Sequence, residues 1–440
     1  MRDSSKTSLG DLASRDELFD LVERLYPINR SITGNGVRET LHILKEIIPD
    51  LQVHEVPSGT KAMDWTVPDE WNITSAKILG PDGDCVVDFS CHNLHVVGYS
   101  TPINTSMSLD ELQPHLHSLP DKPDAIPYVT SYYERNWGFC ISHKVRSSLQ
   151  PGIYHVQINS EIKPGSLTYG ELVIPGEHRD EIFISTYICH PSMANNELSG
   201  PVVATYLAKW ITSRPRRYTY RIVFAPETIG ALVYLSRHLD HLRSHVDAGF
   251  IVTCCGGPAG FSLMPSRTGE TYADHLARSV IAKIEPDFVE HSFLNRGSDE
   301  RQYCSPLVDL PMVSIMRSKY HEYVEYHTSD DNLSFISSES LEQSLSVYAS
   351  VLNSAELNCV PMATMVGEPH LSKYNLYSST GGQIKQTDVS MTLDLLAFAD
   401  GRTDLVEISN RTHHDFLSLR KCVDQLSSLG LLTLSSDFHC

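Results

Sequence analysis

Between residues 15 and 48 apolar residues recur every three or four positions, which predicts two amphipathic helices split by a turn of Pro, Asn and Gly. The next segment, QVHEVPSGTKAMDW, reads as a strand leading away from them. From 66 to 150 the pattern changes to short β-rich runs broken by Pro, Gly and Asn (AKILGPDGDCVVDF, HVVGYSTPI, YVTSYYERNWGFCIS), which predicts an insert with its own sheet. Residues 151–355 alternate strands with helices, as a sheet covered on both faces requires. The strands read there are YHVQINSEI, LTYGELVIPG, EIFISTYI, YRIVFAP, GFIVTCC and MVSIMRS. From 385 on, VSMTLDLLAFADG, DLVEISNRT and HDFLSLRKCVDQLSSLGLLTL give two shorter helices and a longer one closing on a short wing. The expected division is an α/β domain of 1–65 with 151–360, a β-rich insert of 66–150 and a winged-helix-like unit of 361–440.

Chemistry collects where these strands end. EIFIST delivers His190, a polar Asn-Asn-Glu turn follows six residues later, and a helix, LSGPVVATYLAKWI, packs back on the sheet. YRIVFAPE ends on Glu227, and a third polar cluster, EYHTSDD, surrounds His327. Histidines and carboxylates at loop edges are the residue types of a hydrolytic zinc site: about three N or O ligands, an open position for water and a carboxylate base. Each piece also has a plainer reading, since the chain holds 21 histidines and a carboxylate after a proline can simply favour a helix dipole. Cys189, beside His190, is expected to point away from it and pack in the core, because strand neighbours face opposite ways.

The order strand-His, N-x-x-S-G, strand-A-P-E-x-x-G, S-D-x-x-x-Y and Y-H-T-x-x-D resembles the zinc aminopeptidase family that includes bacterial leucyl aminopeptidases and, by divergence, glutaminyl cyclases. PSGTKAMDWTVPDEWNI, CHPSMANNELSGP, GSDERQYCSP and EYHTSDDNLSFI carry a closer resemblance, over nearly the whole chain, to an uncharacterised aminopeptidase-like family. That family has a β-rich insert and a C-terminal winged helix and is met in polysaccharide and natural-product gene clusters. The resemblance implies a zinc-aminopeptidase-like mixed sheet with helices on both faces. It implies metal histidines at His190 and His327 and a general base at Glu227. Asn196 falls where a bridging aspartate is usual, Thr228 where a second-metal glutamate is usual, and Thr253–Cys255 where a ligand aspartate is usual. Up to three negative charges that would offset two dications are therefore missing, and one zinc ion is expected. Its ligands come from His190, Asn196, Glu197 and His327, with Glu227 and Asp299 catalytic; Glu300 is a further candidate for proton transfer if Glu227 binds metal.

Substrate-shaping residues are expected in the insert, at Trp65 and Arg135, and after the last strands, at Arg301, Tyr320 and His321. The Arg301 guanidinium suits a carboxylate or phosphate. Composition adds bounds. The 440 residues are 41% hydrophobic and 20% charged, with no apolar run of about 20 residues for a membrane span. The first twenty residues lack a leader-like apolar segment, and ten cysteines without a CxxC pair fit a reducing cytoplasm. A formal charge of −19 speaks against nucleic acid, and the helix HHDFLSLRKCVDQLSSLG offers only Arg420 and Lys421 as cations. Its unit is read as a protein-contact module through which the chain can self-associate. The function expected is metal-dependent hydrolysis of an amide or peptide bond in a small amine-bearing or aminoacylated substrate. The alternatives are a small-molecule-binding or scaffold protein with a degenerate metal site, and lyase or acyltransferase chemistry on the same site.

Overall fold

A computed structural model describes residues 12–374, 376 and 386–434. Most of the stretch examined for a leader, and the last residues of the C-terminal unit, lie outside the described residues. An eight-stranded mixed sheet forms the centre. Its strands are β1 (Gln52–Pro57), β2 (Ser166–Ile174), β3 (Glu181–Tyr187), β4 (Thr219–Ala225), β5 (Val246–Ile251), β6 (Phe261–Met264), β7 (Val289–Glu290) and β8 (Met312–Arg317). They lie in the order β1-β2-β4-β3-β5-β8-β6-β7. The inner four, β4, β3, β5 and β8, are parallel, so their carboxyl ends share one edge. All seven residues of β3 are buried, which is why it reads as a nearly unbroken apolar run. Alternate side chains feed two cores. Ile182 and Ile184 pack with the helices Arg15–Leu25, Asn35–Ile47, Ser199–Thr212, Tyr272–Ile284 and Ser338–Leu357, whereas Phe183 packs with Ile229–His245 on the opposite face.

One strand expected in this sheet belongs elsewhere. Ile153–Lys163, read as YHVQINSEI, pairs with Glu70–Leu79 and Ile103–Ser108 in a separate four-stranded antiparallel sheet, so the insert runs past residue 150 to Lys163. QVHEVP is a strand as expected, and it forms β1, the edge of the main sheet. Within the insert HVVGYSTPI and YVTSYYERNWGFCIS are largely irregular, with strand only at Ile103–Ser108 and Phe139–Cys140.

Arg38 of the helix Asn35–Ile47 clamps the two sheets together. Its guanidinium donates to both oxygens of Glu70, at 2.9 and 2.6 Å, and Glu70 also accepts from the Ser166 N–H at 3.1 Å. The Arg38 hydrogen bonds hold the Glu70 carboxyl down to about 2, from an ordinary 4.5. A depressed carboxyl stabilises the fold above its unfolded pKa, and that stabilisation is lost as pH falls through the folded one. Glu70→Gln is therefore expected to lower the melting temperature at pH 7 and to flatten its pH dependence between about 4.5 and 2. Thermal melts across that range check it.

The C-terminal unit shares the main core, with Leu405, Leu419 and Val423 buried in it. It has helices Gln386–Phe398, Leu405–Thr412 and Phe416–Ser428 and a strand, Leu432–Leu434, that pairs with Pro361–Ala363. Arg420 is paired internally with Asp424 at 2.8 Å. Among the described residues no helix is long and apolar enough to cross a membrane.

Candidate metal centre

Each loop leaving the parallel edge holds a non-glycine residue in left-handed backbone: Ser192 after β3, Thr228 after β4, Cys254 after β5 and Ser318 after β8, with His321 and His327 further on. Such backbone costs energy and persists where surrounding contacts fix it. Thr228, at φ 62° and ψ −74°, is the centre of a γ-turn closed by the Ile229 N–H on the Glu227 carbonyl at 2.7 Å. Asp299 holds it, accepting the Thr228 N–H at 2.7 Å.

These loops converge on His190, which is 4% exposed. Its Nδ1 lies 2.7 Å from Glu197 Oε2 and its Nε2 lies 3.7 Å from Glu227 Oε2. Its ring is 5.4 Å from that of His327, and Tyr128 stands 5.2 and 5.1 Å from the two. Burial pushes both imidazoles down, His190 to about 3 and His327 to about 2. They are neutral near pH 7, the form that binds metal. Burial raises Glu197 to about 8. Glu227 rises through burial and then the charge of Asp299, and Asp299 rises to about 7, chiefly through burial. The two carboxyls titrate as a pair.

Asn195, Asn196 and Glu197 form a buried π-helical turn, Ala194–Leu198, ahead of the helix Ser199–Thr212. Gly200 lets that helix close on the sheet edge, because a Cβ there would meet the Val252 carbonyl at 2.2 Å. Asp331 secures the turn from the His327 loop, accepting the Asn195 and Asn196 N–H groups at 2.7 and 3.0 Å and the Tyr323 hydroxyl at 2.7 Å. Asn196 donates from Nδ2 to the Tyr187 hydroxyl at 3.1 Å, and its Oδ1 is buried without a partner. Thr253 meets the same Tyr187 hydroxyl at 2.6 Å. Burial pushes the Cys254 thiol up to about 12, so that thiol is uncharged at neutral pH.

Two sets of donors can be compared as metal ligands. Cys189, His190 and Glu197 lie within 4.8 Å of one another. Ligands about 2.0–2.3 Å from one tetrahedral ion sit roughly 3.3–3.8 Å apart, so the 2.7 Å between His190 Nδ1 and Glu197 Oε2 is a hydrogen bond and too short for co-ligands. The 3.7 Å between His190 Nε2 and Glu227 Oε2 fits. Glu227 therefore lies on the Nε2 side of His190, and Glu197 lies behind the ring on the Nδ1 side.

Other expected residues distribute differently. Tyr320 is 1% exposed, and its hydroxyl donates to Glu300 Oε1, so it is a buried wall. His321 is exposed and packs on Tyr326 at 4.7 Å. Trp65 is 41% exposed against Tyr133, and Arg135 is exposed on the same insert; the rings beside the histidine pair belong instead to Tyr128, Tyr187 and Tyr326. Arg301 lines a cleft that none of the other candidate site residues lines. Cys189 does not point away from His190: its Sγ is 3.4 Å from Nδ1 and accepts the Glu227 N–H at 3.2 Å. Strand alternation does not reach it, because β3 ends at Tyr187. Burial lifts its thiol well above the ordinary range, which suits a packing role. Sequence reasoning missed Arg30, whose buried guanidinium donates to the carbonyls of His190 at 3.0 Å and Leu25 at 2.7 Å. It also missed Tyr128, whose only signal was its place beside the aromatic cluster 132–137.

This edge-of-sheet site on a mixed α/β core has the fold of the zinc aminopeptidases. A zinc aminopeptidase from Bacillus subtilis superposes with a TM-score of 0.54 at 13% identity, over 78% of this chain and 96% of that one. The chain belongs to the family described as "Domain of unknown function (DUF4910)", whose model matches residues 19–358; residues 359–434 match a winged helix-turn-helix model. It is 41% identical over 424 residues, 95% of this chain and 96% of the other, to a Clostridium acetobutylicum protein called "Putative polysaccharide biosynthesis protein with aminopeptidase-like domain". A crystal structure of a "putative peptidase" from that organism superposes with a TM-score of 0.87 at 39% identity, covering 96% of each chain.

Proposed function

We propose that the chain is a metal-dependent hydrolase of an amide or peptide bond, working with one zinc ion on a small amine-bearing or aminoacylated substrate. The observation that carries this is the two-sided engagement of His190: Nδ1 taken by Glu197 at 2.7 Å, Nε2 free toward Glu227 at 3.7 Å. Glu197 orients the ring from behind, and in its ionised form it accepts the Nδ1 proton, which leaves Nε2 as the lone-pair donor toward a metal. The donor set is His190, His327 and the Asn196 amide oxygen. The neutral Asn196, Thr228 and Cys254 in place of carboxylates favour one ion over two. The relatives' aminopeptidase-like and peptidase names support a hydrolase.

Bound zinc supplies Lewis acidity and makes a water acidic near neutral pH. The protein's own groups do the rest. Ionised Glu227 accepts the proton of the attacking water at its carboxylate and returns it to the leaving amine. Burial and then the charge of Asp299 raise its pKa, which makes the ionised form a stronger base for the first transfer. Asp299 positions it by fixing the Thr228 turn, and Tyr128 covers the histidine pair. The test is a panel of aminoacyl amides and N-acyl amines assayed before and after chelation. Hydrolysis that chelation abolishes and one equivalent of zinc restores is expected; hydrolysis indifferent to chelation contradicts the reading.

A further inference from the structure

Beyond the metal centre, a second constellation gathers around Arg301, which follows Asp299 and Glu300 in the chain. A cleft of about 650 Å³ opens there, lined by Arg267, Arg296 and Arg301 together with Thr268, Ser292 and His291, and by no aspartate or glutamate. In a chain with 54 acidic and 35 basic residues, a lining of three guanidiniums and no carboxylate gives a locally positive surface on a negative protein. Arg267 is partly neutralised by Asp309, at 2.8 Å. Arg296 lies over the Phe293 ring, 5.1 Å from its centroid. Among the described residues neither Arg296 nor Arg301 takes an ion pair, and both are exposed. A second observation is independent of these charges. The His291 side chain is only 7% exposed; its Nδ1 lies 3.6 Å from Glu322 Oε1, and its Nε2 is buried without a hydrogen-bond partner. His291 lines the cleft, and a small turn of its ring would let a ligand atom complete the bonding of this unpaired nitrogen.

We propose that this cleft binds a phosphate ester. Guanidinium forks pair with the oxygens of a phosphate two at a time. The hydroxyls of Thr268 and Ser292 and the ring of His291, in the tautomer protonated at Nε2, are further donors for an anion with three terminal oxygens. Phe293 lines the same cleft and offers an apolar face to the organic part of the ester. Arg301 follows Asp299 and Glu300 in the chain, and none of the candidate metal ligands lines the cleft, so the anion would bind outside the metal centre. The assignment does not depend on hydrolase activity.

Phenyl phosphate, titrated by calorimetry into the full-length protein, is the probe. Saturable binding is expected, weakening as salt rises, at least tenfold tighter than benzoate, and at least tenfold weaker in each of Arg296→Gln and Arg301→Gln. Both residues are exposed, so unchanged melting temperatures show that those variants fold. The same binding is expected to survive in a His190→Ala, His327→Ala protein. Absence of saturable binding, retention in the arginine variants, equal affinity for benzoate, or loss in the histidine variant would each overturn the proposal. The last outcome would assign the phosphate to the metal centre and leave the hydrolase reading standing.

Discussion

Glu227→Gln is expected to lower kcat about 10²–10⁴-fold on any amide the protein hydrolyses while leaving KM and the metal content nearly unchanged. Glutamine keeps the size and one carbonyl oxygen but cannot take a proton from water. The carboxylate lies 3.7 Å from His190 Nε2, on the side of the imidazole away from Glu197. Loss of a proton acceptor therefore acts on the transition state alone, whereas loss of a metal ligand would act on both. The split decides between two roles for Glu227: a fall in kcat with full zinc content marks the base, and a fall in bound zinc marks a ligand. In the second case the Asp299 and Glu300 pair would have to carry the proton, and Asp299→Asn would then become the deeper defect.

Asp331→Ala is expected to destabilise the fold by on the order of 3–5 kcal/mol, through the buried donors it leaves unpaired. One fully buried carboxylate accepts from the Asn195 and Asn196 N–H groups and from Tyr323. Together these tie the turn carrying Asn196 and Glu197 to the loop carrying His327. Asparagine should not rescue it, since one of its ends is an NH₂ group that would face a backbone N–H. Because the turn also sets Glu197 behind His190, zinc affinity should fall about 10–100-fold, as it does when outer partners of metal ligands are removed. Thermal melts and competitive zinc titration of the two variants check both expectations. A variant with normal zinc affinity and a normal melting temperature would show that the turn holds without Asp331.

How far the sequence reached can be judged element by element. The inner strands were legible because burial on both faces leaves an almost continuous apolar run, and each run stops on a polar residue where the loop begins, at His190 and Glu227. Ile153–Lys163 was assigned to the wrong sheet although the signal was present. Tyr154, Val156 and Ile158 are buried and alternate with more exposed His155, Gln157 and Asn159, the mark of a half-covered antiparallel strand. In the site, residue types and order were legible, but sides were not. A π-helical turn swings Glu197 to Nδ1 and leaves the neighbouring Asn196 oxygen unpaired, and no periodicity announces such a turn. Tyr128 reaches the histidines from 62 residues upstream through pairing with the His327 loop, where its N–H donates to the His327 carbonyl at 3.0 Å. Contacts of that span depend on how the insert docks, which local pattern does not encode.

The central claim is that His190 and His327 hold one catalytic zinc. Elemental mass spectrometry of protein stripped by chelator and then given zinc tests it most directly, run on the native chain and on a His190→Ala, His327→Ala variant of matched melting behaviour. About one zinc per native chain and none in the variant is the predicted result. No zinc in the native chain after add-back, or zinc that survives the double substitution, would contradict it.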